Sequence, residues 1–389
     1  MIITYKYKLY HTKKNKRLHQ VITLAGRAYN HCIALHKRYY KLTGRHLNQY
    51  QLMSHMTKLK KLPGYGWLKD IPSQALQDIV QRIEKGYSLF FRNMKHGISA
   101  APPSFKKSSK YKSFTLKQAG WKLLGGNKIK IGQKVYKFAQ DREPIGKIKR
   151  VTVKRDALGD LYVCLSQEMS EVNFNPTTGK MAGFDFGLKT FLTLYDGIRT
   201  SQIQAPEFFK QSMNHIRQAN RKLSKKKKGS HNRRRAKLHL ARIHKRVAAK
   251  RQDWFFKLAH ELTDIYDVLF FEDLNLKGMQ RMWGRKISDL GFATFLKIVE
   301  HVARKKGKVV VYLDRFYPSS KTCSHCLSIN KDLELKDRWW RCPVCQKIVD
   351  RDGNAAVNIF REGASSLGGG DVRPLLMRLS PLIPETHLL

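Results

Sequence analysis

Apolar side chains recur at helical spacing through residues 11–98. Two runs, Leu18–Cys32 and Leu76–Phe91, place hydrophobic residues three and four positions apart, which is the period of a helix that buries one face. Residues 1–10 instead alternate between apolar and polar side chains, as a strand with one buried face does. The pattern therefore predicts a lone N-terminal strand followed by a helical region.

Strand patterns replace the helical period after residue 98. Ala101–Pro103 breaks the helix, and alternation resumes in Val151–Val153 and Leu161–Leu165, on either side of a hairpin turn predicted at Asp156–Asp160. A small β-barrel built from residues 1–10 and 99–169 fits this order, with residues 11–98 inserted as helices after its first strand. Residues 170–178 are predicted to form a linker.

An alternation of strands and helices predicts an α/β domain from residue 179 onwards. Two strands around a tight turn cover Met181–Gly197, and further strands lie at Val268–Phe271 and Val309–Leu313. A basic helical stretch is predicted at about 207–264, another helix precedes the strand at Val309, and Asp352 opens a last helix. The tail carries Gly, Ser and Pro and is predicted to be flexible.

Three carboxylates, Asp185, Glu272 and Asp352, lie at the ends of separate elements of this domain. A carboxylate in an apolar strand is costly unless it is paired or binds metal, and Mg²⁺ prefers oxygen ligands. We interpret them as ligands of two Mg²⁺ ions that act on a phosphodiester, with Asp185 bridging. Each alone has a simpler explanation as a cap or turn residue, and Asp350 and Asp273 are neighbouring alternatives.

Four cysteines form the most informative motif, with C-x₂-C pairs separated by fifteen residues, the spacing of a zinc ribbon. They are Cys323, Cys326, Cys342 and Cys345. Four thiolates complete the tetrahedral coordination of Zn²⁺ and leave no position for a catalytic water, so the predicted role is structural. The remaining cysteines, Cys32 and Cys164, are interpreted as small core residues.

The composition adds a strong positive charge. The 389 residues include 76 Lys and Arg against 29 Asp and Glu, a formal net charge of +47. Self-repulsion of this size opposes compaction, so a polyanionic partner is expected. Nucleic acid is favoured over a membrane, because no uninterrupted apolar run reaches transmembrane length. We expect no signal peptide, since the N-terminus lacks the pattern of one.

The densest basic run, which extends from Lys225 to Arg251, is interpreted as a track for phosphates. Its alternatives are a solvated helix or a localisation signal. Lysines beside an aromatic residue at Phe105–Lys107 could contact phosphate and base together, with ordinary barrel strands as the alternative. The basic residues predicted to contact nucleic acid are Lys106, Lys107, Lys225, Lys226, Arg233, Arg234, Arg235, Lys245 and Arg246.

Several segments, in this order along nearly the whole chain, resemble the TnpB proteins of insertion sequences. The resemblance rests on Gly183–Lys189, Phe271–Asn275, Tyr317–Cys323 and Asp350–Ile359. Shorter similar segments are Tyr29–Asn30, Ile243–Val247 and Ile287–Gly291. Each segment alone is a weak signal, but the joint match is highly specific.

The resemblance implies a multidomain α+β fold. A wedge-type β-barrel (1–10 and 99–169) carries a helical recognition insertion (11–98), and a linker (170–178) follows. An RNase H-like (RuvC) α/β nuclease domain (179–319 and 349–365) is interrupted by the zinc ribbon (320–348), and a flexible tail (366–389) ends the chain. The implied activity is metal-dependent endonucleolytic cleavage of double-stranded DNA beside a short transposon-adjacent motif, directed by a guide RNA from the transposon end.

The same resemblance implies cofactors and partners. The cofactors are two Mg²⁺ ions, one structural Zn²⁺ and the guide RNA, and the partner is double-stranded target DNA. The active form is expected to be a monomeric ribonucleoprotein in the cytoplasm or nucleoid of a bacterium or archaeon. Base pairing would read most of the target, while protein reads shape and the adjacent motif. Gln77 lies in a segment similar to the family's motif-reading region, and glutamine can bond adenine bidentately; Tyr50 and Ser73 are weaker candidates.

Two other hypotheses stay open. An RNA-guided DNA-binding protein without cleavage would lack a member of the carboxylate triad, and all three are present here. An unguided RNase H-like nuclease or transposase accessory would not need the large basic portion that precedes the nuclease domain.

Overall fold

The computed structural model describes residues 1–170, 172–274, 278, 284, 289–334 and 336–367. The chain forms two compact units, Met1–Glu171 and Val172–Leu389. Among the described residues, none of the helices combines the length and apolar character that crossing a bilayer requires. Asn275, Ile287–Ser288 and the predicted tail beyond residue 367 lie outside the described residues.

The first unit contains a seven-stranded sheet. Its strands are β1 (Ile2–Leu9), β2 (Ser113–Leu116), β3 (Trp121–Leu123), β4 (Lys128–Ile131), β5 (Lys134–Ala139), β6 (Lys147–Arg155) and β7 (Leu161–Glu168). The spatial order is β2-β6-β7-β1-β5-β4-β3, and β1 pairs antiparallel with both β7 and β5. The N-terminal strand thus completes a sheet whose other strands follow more than 100 residues later.

Chain connectivity shows that this sheet curves. β2 and β3 lie at opposite ends of the spatial order, yet only residues 117–120 join them. A flat seven-stranded sheet would separate its edges by about 29 Å, whereas a four-residue connection spans at most about 17 Å. We therefore infer a barrel-like curvature, with fully buried aromatic rings such as Tyr7 and Phe138 in its interior.

Three helices lie between β1 and β2 in the chain: α1 (Asn15–Thr43), α2 (Gln49–Leu59) and α3 (Ser73–Lys95). Gly44, with φ 65°, ends α1 in the left-handed conformation that glycine adopts readily. Asn48 and Gln51 exchange side-chain and backbone hydrogen bonds in a capping box that starts α2. The buried faces of these helices join the interior of the sheet in one hydrophobic core.

The two cysteines outside the zinc motif differ in their surroundings. Cys32 is fully buried in the core of the helices. Cys164 pairs with Lys6 across β7 and β1 and is only half-buried. Because Val163 and Leu165 on either side point into the core, the period-2 alternation turns Cys164 outward. The prediction that Cys164 is a core residue is therefore wrong.

The second unit is built on a five-stranded sheet. Its strands are β8 (Met181–Phe186), β9 (Thr190–Tyr195), β10 (Thr200–Gln204), β11 (Val268–Glu272) and β12 (Val309–Leu313). They lie in the order β10-β9-β8-β11-β12, with the first three antiparallel and with β11 and β12 added parallel to β8. β8 is buried at every position, as expected for a central strand covered on both faces.

The helices that the structure describes in this unit are, in chain order, α4 (Phe208–Gln211), α5 (Met213–Ser224), α6 (His231–Ile265), α7 (Phe292–Lys306) and α8 (Arg351–Ser366). Three of them cover the two faces of the sheet. α6 and α7 contribute to the core on one face, and α8 packs on the other. A Cβ at Gly183 would lie 2.5 Å from the backbone N of Phe360, so only glycine lets α8 approach β8 this closely.

Two sequence predictions for this unit need correction or extension. The basic helical stretch predicted at 207–264 is not continuous, because residues 225–230 form a loop that makes α5 and α6 a hairpin. Between β12 and α8 the chain forms a separate two-stranded sheet from β13 (Trp339–Arg341) and β14 (Ile348–Asp350). This small sheet lies within the segment that contains the four-cysteine motif.

Candidate functional site

The three predicted carboxylates come from neighbouring elements of the second unit. Asp185 is the fifth residue of β8, Glu272 ends β11, and Asp352 is the second residue of α8. β8 and β11 are adjacent parallel strands, so their carboxyl ends meet at one edge of the sheet. The first turn of α8 lies in the same region, because Asp352 Oδ2 lies beside Gly187, the residue that follows β8.

Electrostatics show that these acids act on one another. Burial raises the pKa of Asp185 well above its ordinary value, and the charges of Glu272 and Asp352 raise it further, opposed by Arg351. Burial also raises the pKa of Glu272, opposed by a hydrogen bond from the Ser319 hydroxyl. Crowded carboxylates of this kind are stabilised as anions by a cation between them.

The surroundings of Asp352 separate it from its neighbour Asp350. The carboxylate of Asp350 accepts the backbone N–H of Gly353 at 2.8 Å and is the N-cap of α8. Asp352 instead contacts Arg338, whose Nη1 lies 3.2 Å from Oδ2. Its Oδ2 also lies next to the turn after β8, where a Cβ on Gly187 would be 3.5 Å away. The capping role therefore belongs to Asp350 and leaves Asp352 available for another role.

The alternative to Glu272 is also engaged elsewhere. The carboxylate of Asp273 is exposed and accepts a hydrogen bond from Arg315 Nη2 at 2.5 Å. Glu272 is the less exposed of the two acids, and the Ser319 hydroxyl donates a hydrogen bond to it. Sequence reasoning missed Ser319 as a support, although it lies inside the Tyr317–Cys323 segment that carries the family resemblance.

The four cysteines converge, as the spacing predicts. Their sulfur atoms all lie within 4.8 Å of one another, and Cys323–Cys345 and Cys326–Cys342 are 3.7 and 3.5 Å apart. Four thiolates at Zn–S distances of about 2.3 Å would be separated by about 3.8 Å, so this donor set fits Zn²⁺. A hydrogen bond with Ser328 lowers the pKa of Cys342 to about 6, which favours the ligating thiolate.

Turn geometry and α8 hold the cysteine site in place. Leu327 and Gln346, each directly after a C-x₂-C pair, have φ of 64° and 59° and form equivalent turns. Asn354 and Asn358 of α8 donate to the carbonyl of Thr322 at 2.7 and 2.6 Å. Sequence reasoning placed both asparagines in the last helix but missed that they tie the cysteine segment to the helix that bears Asp352.

The basic residues predicted at 225–246 lie on the α5–α6 hairpin. No Asp or Glu occurs between Glu207 and Asp253. Lys225 and Lys226 lie in the connecting loop, Arg234, Arg235 and Arg246 are exposed on α6, and Lys245 is half-buried. Arg233 differs, since its Nη1 donates to the carbonyls of Leu223 and Lys226 at 2.9 and 2.8 Å and so closes the loop.

The remaining predicted contacts lie in the first unit. Tyr50 on α2 is 74% exposed, and Gln77 is exposed on α3, which Ser73 begins. Lys106 is anchored, because its backbone N–H donates to Asn30 Oδ1 at 2.9 Å and its Nζ lies 4.7 Å from the ring centre of Tyr29. Phe105–Lys107 forms no strand, so the barrel-strand alternative for these lysines is wrong.

Comparison with known proteins relates the chain to transposon proteins and RNA-guided nucleases. The OrfB_IS605 family, described as "Probable transposase", matches residues 162–282, and the "Cas12f1-like, TNB domain" matches residues 292–359. A "Putative RNA-guided DNA endonuclease" of Streptomyces pristinaespiralis is 28% identical over 95% of this chain and 92% of its own. "TnpB-like protein L79" of Acanthamoeba polyphaga mimivirus is 30% identical over 59% of this chain and 46% of its own.

The chain is thus similar to TnpB-like proteins and to putative RNA-guided DNA endonucleases. A further relative, the "Putative RNA-guided DNA endonuclease InsQ" of Escherichia coli K12, is 26% identical over 92% of both chains. The solved structure of a Cas12f1-sgRNA-target DNA complex covers 90% of this chain and 83% of its own at 15% identity, with a TM-score of 0.57. That likeness is one of fold, a mixed α/β architecture.

Proposed function

We propose that this chain is a TnpB protein, an RNA-guided endonuclease that hydrolyses double-stranded DNA beside a short adjacent motif, with a guide RNA from the transposon end. The observation that carries the proposal is the set of interacting carboxylates contributed by β8, β11 and α8. Curated relatives that match nearly the full chain carry the name of RNA-guided DNA endonucleases. The names of these relatives support DNA as the substrate, and the carboxylates support metal-dependent hydrolysis as the reaction.

The carboxylate set offers the ligands that hard cations prefer, and we propose that it holds two Mg²⁺ ions. Its oxygen donors come from one buried and two partly buried acids whose repulsion such cations relieve. Asp185 would bridge the two ions, with Glu272 and Asp352 as flanking ligands. Bound Mg²⁺ would supply an activated water and stabilisation of the leaving oxygen of the phosphodiester. The protein's own part is positioning, in which the Ser319 hydroxyl orients Glu272 and Arg338 holds Asp352.

The remaining parts of the chain would bind the guide and the target. The acid-free α5–α6 hairpin supplies exposed Lys and Arg for phosphate contacts. Gln77, exposed on α3, is the proposed reader of the adjacent motif, with Tyr50 as a second contact. The zinc ribbon would keep Asp352 in register through Asn354 and Asn358, and we propose a monomeric ribonucleoprotein as the active form.

The decisive experiment begins with the RNA. The protein is expressed with its native flanking DNA, the co-purifying RNA is sequenced, and the ribonucleoprotein is given plasmids with a matching target and randomised flanks. We expect one abundant RNA whose 3′ portion extends into flanking sequence, and Mg²⁺-dependent cleavage beside one short motif. Heterogeneous host RNA from a transcribed locus, with cleavage by bare protein, would identify an unguided nuclease instead.

Asp185→Asn tests the metal-ligand assignment. The variant keeps the side-chain shape but removes the charge that Glu272 and Asp352 repel, so we expect no cleavage, unchanged RNA content and a higher melting temperature in EDTA. The matched control is Asp273→Asn, an exposed acid next to Glu272, which should keep cleavage. An active Asp185→Asn protein would refute the two-metal assignment.

A further inference from the structure

Thr193 of β9 is a fully buried polar residue to which neither the fold nor the carboxylate chemistry assigns a role. Among the residues that the structure describes, its Oγ1 atom has no hydrogen-bond partner. A hydroxyl in this situation loses its bonds to water without replacing them, so buried hydroxyls in folded proteins are usually paired. A valine at this position would avoid that cost. Stability alone therefore does not account for the hydroxyl.

The strand register places Thr193 beside Asp185. β8 and β9 are antiparallel, and Thr193 lies directly opposite Asp185. Directly opposite residues of such a pair share one face of the sheet, with Cβ atoms about 4.5–5.5 Å apart. The two side chains are therefore neighbours, and a change of the threonine rotamer is enough to direct its hydroxyl to the carboxylate.

The face that Thr193 and Asp185 share is the one that α8 covers. Gly183 precedes Asp185 by two residues, and a Cβ there would lie 2.5 Å from the backbone N of Phe360 in α8. Tyr195 follows Thr193 by two residues, and its ring centre lies 5.4 Å from that of Phe360. Side chains two positions apart along a strand share a face. The hydroxyl of Thr193 is thus enclosed between the sheet and the helix that carries the third carboxylate.

Asp185 is the neighbour of Thr193 that most needs a hydrogen-bond donor. On the other side of Thr193, Gln202 of β10 lies opposite it but is exposed, so water can solvate that side chain. The carboxylate of Asp185 is buried and is crowded by the charges of Glu272 and Asp352. An anion in such a place is stabilised by a cation and by hydrogen bonds that it accepts. The unpaired donor and the crowded acceptor are therefore adjacent.

We propose that Thr193 is a positioning residue of the carboxylate site, whose hydroxyl donates a hydrogen bond to Asp185 when that carboxylate binds metal. The inference rests on the proposed function, because it takes Asp185 as a metal ligand. A donor on the neighbouring strand would fix the orientation of the carboxylate toward the metal ions. Carboxylates that ligate metals are themselves hydrogen-bonded, and loss of such a partner typically lowers metal affinity about 10- to 100-fold.

Metal binding is measured directly, without DNA and without cleavage. Full-length protein freed of nucleic acid is titrated with Mn²⁺, which prefers the same oxygen ligands as Mg²⁺, and the free ion is quantified by electron paramagnetic resonance. Thr193→Val removes the hydroxyl at nearly the same shape, so we expect an affinity for Mn²⁺ about 10-fold lower. Its melting temperature without added Mn²⁺ should be equal to or above that of the wild type.

Thr193→Ser separates positioning from packing. It keeps the donor but removes a buried methyl group, so it should melt at a lower temperature and keep the wild-type affinity for Mn²⁺. The two variants thus change stability and affinity in opposite ways. If Thr193→Val keeps the wild-type affinity, or if Thr193→Ser loses as much affinity as Thr193→Val, the hydroxyl does not position Asp185 and the proposal is overturned.

Two controls distinguish this inference from the proposed function. Asp185→Asn should abolish Mn²⁺ binding at the carboxylate site, and unchanged binding would overturn both the metal-ligand assignment and the role of Thr193. Loss of binding in Asp185→Asn together with wild-type affinity in Thr193→Val would overturn the role of Thr193 alone. The matched control is Thr263→Val, a fully buried threonine of the same unit whose hydroxyl donates to the carbonyl of Ala259 at 2.8 Å. It should keep the affinity for Mn²⁺, and a loss equal to that of Thr193→Val would show a general effect of removing a buried hydroxyl and overturn the proposal.

Discussion

Two acids at the start of α8 illustrate how closely spaced residues of one type receive different roles. Asp350 precedes the helix, and its carboxylate accepts the backbone N–H of Gly353 at 2.8 Å. Asp352 lies inside the first turn, where its charge acts on the buried Asp185. Residue type could not separate these roles, but backbone geometry does, because only the residue before a helix can cap it.

Alanine substitution should separate the two roles. Asp350→Ala removes the cap, so we expect a loss of about 1 kcal/mol in the free energy of unfolding with cleavage retained in part. Asp352→Ala should abolish cleavage at nearly unchanged stability, since loss of the partly exposed contact with Arg338 is offset by relief of repulsion on Asp185. Urea denaturation and plasmid cleavage measure the two effects, and wild-type cleavage by Asp352→Ala would contradict the assignment.

At the scale of elements, a buried clamp fixes the segment that leads into β8. Asp267, directly before β11, accepts the backbone N–H groups of Thr177, Thr178 and Gly179 at 3.0, 2.9 and 2.7 Å. Lys308, directly before β12, donates to it at 2.5 Å, and both side chains of this pair are almost completely buried. The segment predicted as a linker is therefore anchored at its C-terminal end.

This clamp should make the stability of the second unit depend on acidic pH. Burial alone would raise the pKa of Asp267, but Lys308 and the three N–H groups lower it to about 2. The carboxyl of an unfolded chain has a pKa of about 3.9, so the contribution is complete above about pH 4 and is lost as the pH falls toward about 2. The free energy of unfolding, measured by urea denaturation, should therefore keep the contribution of the clamp at pH 7 and pH 4 and lose part of it at pH 3.

Asp267→Asn tests the same clamp by substitution. Removing one charge of a buried pair leaves Lys308 uncompensated, so we expect a loss of about 3–5 kcal/mol at pH 7 that shrinks on acidification. The matched control is Asp264→Asn, which breaks the more exposed pair of Asp264 with Lys306 and should cost less than about 1 kcal/mol. Equal effects of the two substitutions would show that burial does not strengthen the clamp.

The elements that sequence reasoning identified are those set by local pattern. The apolar strand around Asp185 and the paired cysteines follow from periodicity and spacing, and both are present. The contacts of Asp267 with the backbone of residues 177–179 and of Arg338 with Asp352 were not predictable, because no local sequence pattern marks either pair. The break between α5 and α6 was overlooked although Gly229, with φ 86°, and the capping Ser230 signal it locally.

For the whole molecule, positive charge is concentrated rather than spread evenly. The first unit has its acid-free stretch between Glu84 and Asp141, and the second has one between Glu207 and Asp253. A chain that needed charge only for solubility would mix both signs over its surface. Long stretches of one sign instead favour contact with a polyanion, and each unit therefore carries its own candidate surface for nucleic acid.

Adjacent arginines on the α5–α6 hairpin allow a test of the hypothesis that this acid-free stretch binds nucleic acid. Arg234 and Arg235 are exposed, so replacing both by glutamine should lower affinity for a DNA duplex and reduce its salt slope by about 2, with melting temperature unchanged. Arg233→Gln should instead lower the melting temperature and leave the salt slope unchanged, because Arg233 closes the loop through the carbonyls of Leu223 and Lys226. Fluorescence anisotropy at several salt concentrations measures the slope. If the double variant keeps the wild-type slope, the hairpin is a solvated surface and the phosphates are bound elsewhere.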